Sequence, residues 1–393
     1  MSTKTAVHTT AHFIMVFLLV SLNLRMAFSA ADPLLTQVRH ALHMGITSSG
    51  LFALLPIMAL GIAAPVGARL VAWIRPGNLI TYALLLATAG VVWRSSGYLT
   101  GLFCGTIIIG LGLGVAGSVI LGIVKQAIPT HLPEVMSAYT ACVSLGTAIG
   151  TGAAVPIARL LEGWQAGLMF WALPMLLSTI LWACTMHRRQ NIHGGQSTMR
   201  APMLPLLRKR SARMVTLYYL FRVASSWLLV VWLVTLLHQR GMSTEKAGLL
   251  LSLTTACQIP CALISGLAIR WLGSIRRLMT IATLLAVVAC WGLLVAPEEC
   301  WLVSAIALGA GLGSIFSVGM TLIATTEPSE SGTIALSGLA QGIGFTGGGL
   351  LAWAAGAGMG TGNPCLALTL LYTLFALCGL YFGLRCGQIK REE

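Results

Sequence analysis

The sequence predicts an all-α membrane protein of twelve transmembrane helices, arranged as two parallel six-helix repeats. Three observations carry this. Of 393 residues, 57% are hydrophobic and 9% charged, and mean hydropathy is +0.87. A soluble domain carries about 25% charged residues, so this chain must meet lipid over much of its surface. Apolar runs of transmembrane length recur from end to end, which makes the protein polytopic. Finally, motifs of the first half return about 199 residues later.

The spans are expected at 13–33, 47–68, 78–93, 99–124, 135–158, 165–186, 214–237, 247–269, 278–296, 301–324, 334–356 and 364–384. Most are near the roughly 20 residues a helix needs to cross hydrocarbon. The alternating ten-residue segments of a transmembrane barrel are absent. In span one, Ser21, Arg25, Ser29 and Asp32 recur at steps of about four and form one polar stripe, with Phe28 beside it. Span three is short and is expected to use Arg94 as a snorkelling end. Span four contains "GLGLGVAGSVI" (110–120). Span five carries Tyr139, Thr140, Ser144, Thr147 and Thr151. Residues 187–213 are basic, contain Gly and Pro, and read as a cytoplasmic linker between bundles at 1–186 and 214–393. Span seven places Arg222 with Tyr218, Tyr219, Ser225 and Ser226. Span eight has Thr254, Gln258, Cys261 and Ser265, span ten "GAGLGSIFSVG" (309–319), and span eleven Ser337, Gln341 and Phe345. Each hydroxyl has a back-bond to its own helix as an alternative to lining a lumen. For Gln258 and Gln341 the alternative is a helix–helix hydrogen bond.

The repeat supports the two halves. Gly110, Gly112, Gly114 and Ser118 map onto Gly309, Gly311, Gly313 and Ser317 at an offset of 199, and Gly67 maps onto Gly266. Equal orientation of the halves follows from six spans in each. The glycines read as close helix packing. A phosphate loop would need a following Gly-Lys-Ser/Thr, so ATP-driven transport by this chain is not supported.

The net charge of +14 reports topology rather than nucleic-acid binding. With a cytoplasmic N-terminus, inner segments hold 17 Lys and Arg, outer segments hold 5, and Arg25 and Arg222 lie within spans. That is the positive-inside bias, and it places both termini in the cytoplasm of a cell whose inner membrane houses the protein. "AFSAAD" faintly resembles a signal cleavage site. The preceding apolar run is too long for one and contains Arg25, so residues 1–31 are expected to remain. The ten cysteines show no CxxC and read as small core-filling residues. None of these expected spans contains a histidine, so no metal and no cofactor are expected.

The offset that relates the glycines also relates Arg25 to a position near 222–224, where Arg222 stands. An arginine within a bilayer costs about 3 kcal/mol or considerably more, so such residues face water or a partner. A guanidinium holds carboxylate-like groups through a planar fork. The two arginines are therefore expected to bind an anionic or polarised solute midway between the halves. The competing reading pairs Arg25 with Asp32, the only acidic residue read within a span. Proton-driven pumps for cations favour an intramembrane carboxylate, so that class loses ground, and Asp32 is left as a possible coupling group.

"LNLRMAFSAADPLL" (22–35) resembles the first span of the cyanate and nitroimidazole permease branch of the major facilitator superfamily, in which an Asn-x-Arg motif precedes Pro-Leu-Leu. "GLFALLPIMALGIAAPVGARL" (50–70), "SAYT" (137–140), "VVWLVTLLHQRGMSTEKAG" (230–248) and "ALSGLAQGIGF" (335–345) resemble other stretches of that branch. The resemblance implies secondary transport of a small anionic or polar organic solute, bound near Arg25 and Gln341. Three departures are visible. Arg222 stands where the branch more often has an uncharged residue, Trp232-Leu233-Val234 replaces its Trp-Leu-Pro, and the superfamily's Gly-x-x-x-Asp-Arg loop motif lacks its acid at 67–76 and carries Arg270 in its place at 266–277.

The expected protein is a monomeric transporter working by alternating access on a small-molecule solute. Arg25 and Arg222 hold the solute's electron-rich group, and Asn23, Phe28, Tyr139, Trp227, Gln258 and Gln341 supply walls and hydrogen bonds. The alternative is an efflux pump for neutral toxic compounds. An enzyme is not expected, because the spans lack clustered His, Asp or Glu.

Overall fold

In the computed structural model the described residues are 3–193, 202–357 and 363–389, and among them all regular structure is helical. The helices are α1 (Thr3–Ser29), α2 (Leu35–Ala41), α3 (Ile46–Leu70), α4 (Pro76–Arg94), α5 (Leu99–Ala127), α6 (Leu132–Leu160), α7 (Trp164–Met169), α8 (Ala172–His193), α9 (Met203–Arg208), α10 (Arg210–Gln239), α11 (Thr244–Leu272), α12 (Ile275–Leu294), α13 (Trp301–Thr326), α14 (Glu330–Ala357) and α15 (Pro364–Ile389). Among the described residues, eleven helices are long and apolar enough to cross a membrane, and α3 adds a shorter apolar stretch at Leu54–Leu70. Ten of the twelve expected spans each coincide with one of these helices, within a few residues at most ends.

Two spans are broken, both by proline. A proline lacks an N–H, and its ring clashes with the carbonyl four residues earlier. Pro33 acts on Ser29, where α1 stops, and the chain continues through tight i→i−3 bonds from Asp32 N to Ser29 O (3.3 Å) and from Leu34 N to Ala31 O (3.2 Å). Pro174 acts on Phe170, in the gap between α7 and α8. Pro56, Pro65, Pro156 and Pro260 lie inside helices that stay continuous. Side-chain caps define other ends: Ser243 accepts from Lys246 N, Ser274 from Arg276 N and Asn363 from Leu366 N. Gly273 closes α11 at a left-handed φ of 63°.

The chain groups into two compact units. The first comprises Met1–Pro129, Cys142–Met203 and Ser329–Gly338, and the second Thr130–Ala141, Leu204–Pro328 and Leu339–Glu393. Within the first unit, Gly110 and Gly114 of α5 fit against Ala59 and Leu60 of α3, while Gly112 fits against Ala83 and Ala87 of α4. Within the second, Gly309 and Gly313 of α13 fit against Thr254 and Gln258 of α11, while Gly311 fits against Ala282 and Ala286 of α12. The repeated glycine triplet is thus one helix clasped by two neighbours, and a Cβ at any of these positions would collide with backbone or Cβ atoms.

An offset of 198 relates a second set of contacts. Gly146 and Gly150 of α6 press on the Leu22 and Met26 carbonyls of α1, and Gly344 and Gly348 of α14 press on Tyr219 and on Val223 and Ala224 of α10. The first residues of α6 belong to the second unit, where Gly266 admits the Glu134 backbone to α11. The first residues of α14 belong to the first unit, where Gly338 admits α14 to Ala64 and Ala68 of α3.

Four expectations about single residues are corrected. Arg94 does not snorkel: it is 1% exposed, and its Nη2 donates to the Ala27 carbonyl at 2.7 Å. Histidine does occur within a span, because α1 starts about ten residues earlier than expected; His12 meets Thr185 Oγ1 of α8 at 3.2 Å. Asp32 lies off the long helices, on the turn after α1, and acids do occur on them, since α6, α11 and α14 begin early enough to include Glu134, Glu245 and Glu330. The cysteines divide: Cys290, Cys365 and Cys386 are buried, whereas Cys104 and Cys184 lie exposed on helix faces, and all ten are free.

Candidate functional site

In the first unit the candidate residues gather at the end of α1. Gly146 and Gly150 bring α6 onto this helix at the turns on either side of Arg25. Arg25 is half-buried, with its Cζ 5.2 Å from the centre of the Phe28 ring. Asp32 lies on the turn beyond Ser29 with an exposed side chain, and it sits within the electrostatic reach of Arg94 first and Arg25 second. Asn23 is buried. Its Nδ2 donates to Leu19 O at 3.1 Å, and its Oδ1 has no hydrogen-bond partner among the described residues.

The second unit holds Tyr139, Arg222, Trp227, Gln258 and Gln341. Arg222 is half-buried near the middle of α10. Its guanidinium lies over Phe316 of α13, with Cζ 4.3 Å from the ring centre, and 5.2 Å from the Tyr219 ring. Tyr219 in turn meets Phe345 of α14 edge-on at 5.9 Å. The Nε of Arg222 is buried without a hydrogen-bond partner among the described residues. Beside it opens a narrow cleft of about 20 Å³ among α10, α12, α13 and α15, with Ser226, Thr283 and Tyr372 in its lining. Tyr139, Trp227, Gln258 and Gln341 do not line this cleft. Tyr139 and Gln341 are buried, while Trp227 and Gln258 are half-buried.

Many stripe hydroxyls are spent on their own helices. Ser21 donates to Phe17 O, Ser29 to Arg25 O, Thr147 to Val143 O, Ser225 to Phe221 O and Ser265 to Cys261 O, at 2.6–3.1 Å. Tyr218 is likewise committed, its hydroxyl donating to Ile315 O at 3.0 Å. The polar character around the arginines therefore rests on guanidinium groups, aromatic faces and the remaining hydroxyls.

Three participants were not singled out from the sequence. Phe316 lies inside the quoted repeat "GAGLGSIFSVG", but only packing places it under Arg222. Tyr372 and Thr283 sit on helices for which no polar stripe was read. An ion pair was missed as well: Arg270 Nη1 meets Glu134 Oε1 at 3.3 Å, so the arginine at the motif's acid position finds its acid on α6. On the linker side, Lys209 binds both carboxylate oxygens of the buried Glu327 at 2.9 and 3.1 Å.

Residues 16–357 match the profile of the Major Facilitator Superfamily. The chain is 29% identical over 377 residues to the 2-nitroimidazole transporter of Escherichia coli (strain K12), covering 93% of this chain and 94% of that one. It is 26% identical over 346 residues to the cyanate transport protein CynX of the same organism, covering 87% and 88%. The proton:xylose symporter XylE shares the fold, with a TM-score of 0.76 at 13% identity over 96% of this chain and 95% of that one. Both sequence relatives fall within the branch that residues 22–35 resemble. The helical architecture, the internal repeat and the profile match over most of its length establish that this chain belongs to the major facilitator superfamily and is a membrane transporter of small solutes.

Proposed function

We propose that the protein moves a small anionic or strongly polarised organic solute, of the size and character of cyanate or a nitroimidazole, across the inner membrane by alternating access. The observation that carries this reading is Arg222. A guanidinium midway along a membrane helix, lying against two aromatic rings with its Nε unpaired among the described residues and beside a narrow cleft, is costly unless a ligand completes its hydrogen bonds. Arg25 stands at the corresponding place in the first repeat, also against an aromatic ring. Each arginine would offer a planar fork to a carboxylate-like, cyanate-like or nitro group. The relatives named for 2-nitroimidazole and cyanate support the solute class.

The test is uptake of radiolabelled cyanate and of 2-nitroimidazole by purified protein in proteoliposomes. Saturable uptake of at least one is expected, with KM raised about ten-fold or more in both Arg25→Ala and Arg222→Ala. Unchanged kinetics in both variants would remove the reading. Flux that does not saturate would indicate a channel instead.

A further inference from the structure

The end of α1 is an unusual place for a carrier to hold a solute-binding group, because Pro33 stops the helix four residues after Arg25. A helix end leaves its last carbonyls without partners from its own body, and it carries partial negative charge. In the second unit α10 runs unbroken from Arg222 to Gln239, so the equivalent turn needs no outside help. At the 199-residue offset the end of α2 falls at Arg240, the C-cap of α10, so the break and α2 correspond to the C-terminal part of that one helix.

We propose that Arg94 is a positioning residue: it caps the broken end of α1 through the Ala27 carbonyl and so holds the turn that presents Arg25 and Phe28. This rests on the reading of Arg25 as a solute-binding group. Four observations support it. Arg94 is among the largest fully buried side chains of the molecule, and its Nη2 lies 2.7 Å from Ala27 O. Its Nε has no hydrogen-bond partner among the described residues, so Ala27 is the bond that justifies keeping the guanidinium inside. Gly105 of α5 packs directly on the Arg94 backbone, which fixes the base of the side chain. The second unit ties the corresponding helix pair by the same chemistry with donor and acceptor exchanged. Arg240, at the end of α10, donates to Leu293 O at 2.9 Å and Ala296 O at 2.8 Å, and Leu293 of α12 is the position that corresponds to Arg94.

The experiment compares wild-type, Arg94→Gln and Arg94→Lys full-length protein in nanodiscs by amide hydrogen exchange, and in proteoliposomes by uptake of cyanate or 2-nitroimidazole, whichever the wild type takes up. In Arg94→Gln, peptides spanning 24–34 are expected to exchange about ten-fold faster or more while those of α10 do not change, and Arg94→Lys is expected to fall between. KM should rise about ten-fold with the maximal rate kept within about three-fold, and Arg94→Lys should recover part of the loss. Unchanged exchange at 24–34 overturns the proposal. So does acceleration spread evenly over all helices, which would mark a general stabiliser. Local loosening with an unchanged KM also overturns it, leaving a cap without bearing on the solute. If the wild type takes up neither probe, the proposed function fails, and hydrogen exchange alone still decides whether Arg94 caps α1. Should Arg94→Gln fail to fold, Arg94→Lys is read by the same two measurements.

Discussion

The guanidinium carbon of Arg222 stands 4.3 Å from the centre of the Phe316 ring, joining α10 to α13 inside one unit of the transporter. An aromatic face stabilises a cation by about 0.5–2 kcal/mol, and more as water is excluded. Phe316→Leu keeps an apolar side chain but removes the ring's negative face. We expect it to weaken solute binding about three- to ten-fold, with less effect on stability than on affinity. Binding isotherms and melting temperatures of the same preparation check both halves of that statement.

Arg222→Lys tests geometry against charge. A lysine keeps the positive charge but cannot stack or offer a planar fork. Arg222→Lys is therefore expected to recover only a minor part of the affinity lost in Arg222→Ala. Full recovery of KM in the lysine variant would show that charge alone suffices.

Glycine placement on α6 offers a matched pair. A Cβ at Gly150 would collide with the Met26 carbonyl of α1, whereas Gly152, two residues on, has nothing within 4 Å. Gly150→Ala should lower the melting temperature by several degrees and reduce uptake, because it pushes α6 away from the turn beside Arg25. Gly152→Ala should be neutral, or stabilising by up to about 1 kcal/mol through helix propensity. Equal melting temperatures in the two variants would contradict the packing described.

Glu327 is buried while Lys209 remains largely exposed, so the two partners differ in what their loss leaves behind. Lys209→Met removes the ion-pair partner of a buried carboxylate at the end of α13 and should destabilise the protein more than the double variant Lys209→Met/Glu327→Gln, which removes the charge as well. Thermal unfolding of the three proteins decides it; a double variant no better than the single one would argue that the pair is not the source of the effect.

Arg270 and Glu134 are both more solvent-accessible, with side chains 65% and 27% exposed. Exposed pairs contribute about 0–1 kcal/mol. Arg270→Ala should leave thermal stability nearly unchanged in moderate salt. A large loss would assign this ion pair more than surface electrostatics.

How much of this could be read beforehand follows from the kind of information each feature needs. Helix positions depend on local apolar content, and the breaks after Ser29 and at Phe170 are already written in Pro33 and Pro174 through the missing N–H. The glycine triplets and the Arg25–Arg222 correspondence are repeats in one dimension, so counting finds them. The pairs Gly146/Gly344 and Gly150/Gly348 were available to the same count. Arg94 was misread because a terminal arginine on a short span looks the same whether it reaches for headgroups or turns inward; burial depends on what lies beside it, here α1 and Gly105. Hydroxyl stripes misled in a related way, since a serine facing a lumen and a serine bonded to its own helix share one spacing.

The sequence by itself determined the approximate positions of the membrane helices, their two-fold internal repetition, the polytopic class, and the two arginines worth explaining, because hydropathy, proline chemistry and periodicity are properties of the chain alone. Only the tertiary structure decided what those arginines touch. Phe316 under Arg222, Arg94 on the Ala27 carbonyl, and the cleft beside Tyr372 each join residues far apart in the chain, and such contacts arise from glycine-permitted helix packing that no single segment encodes.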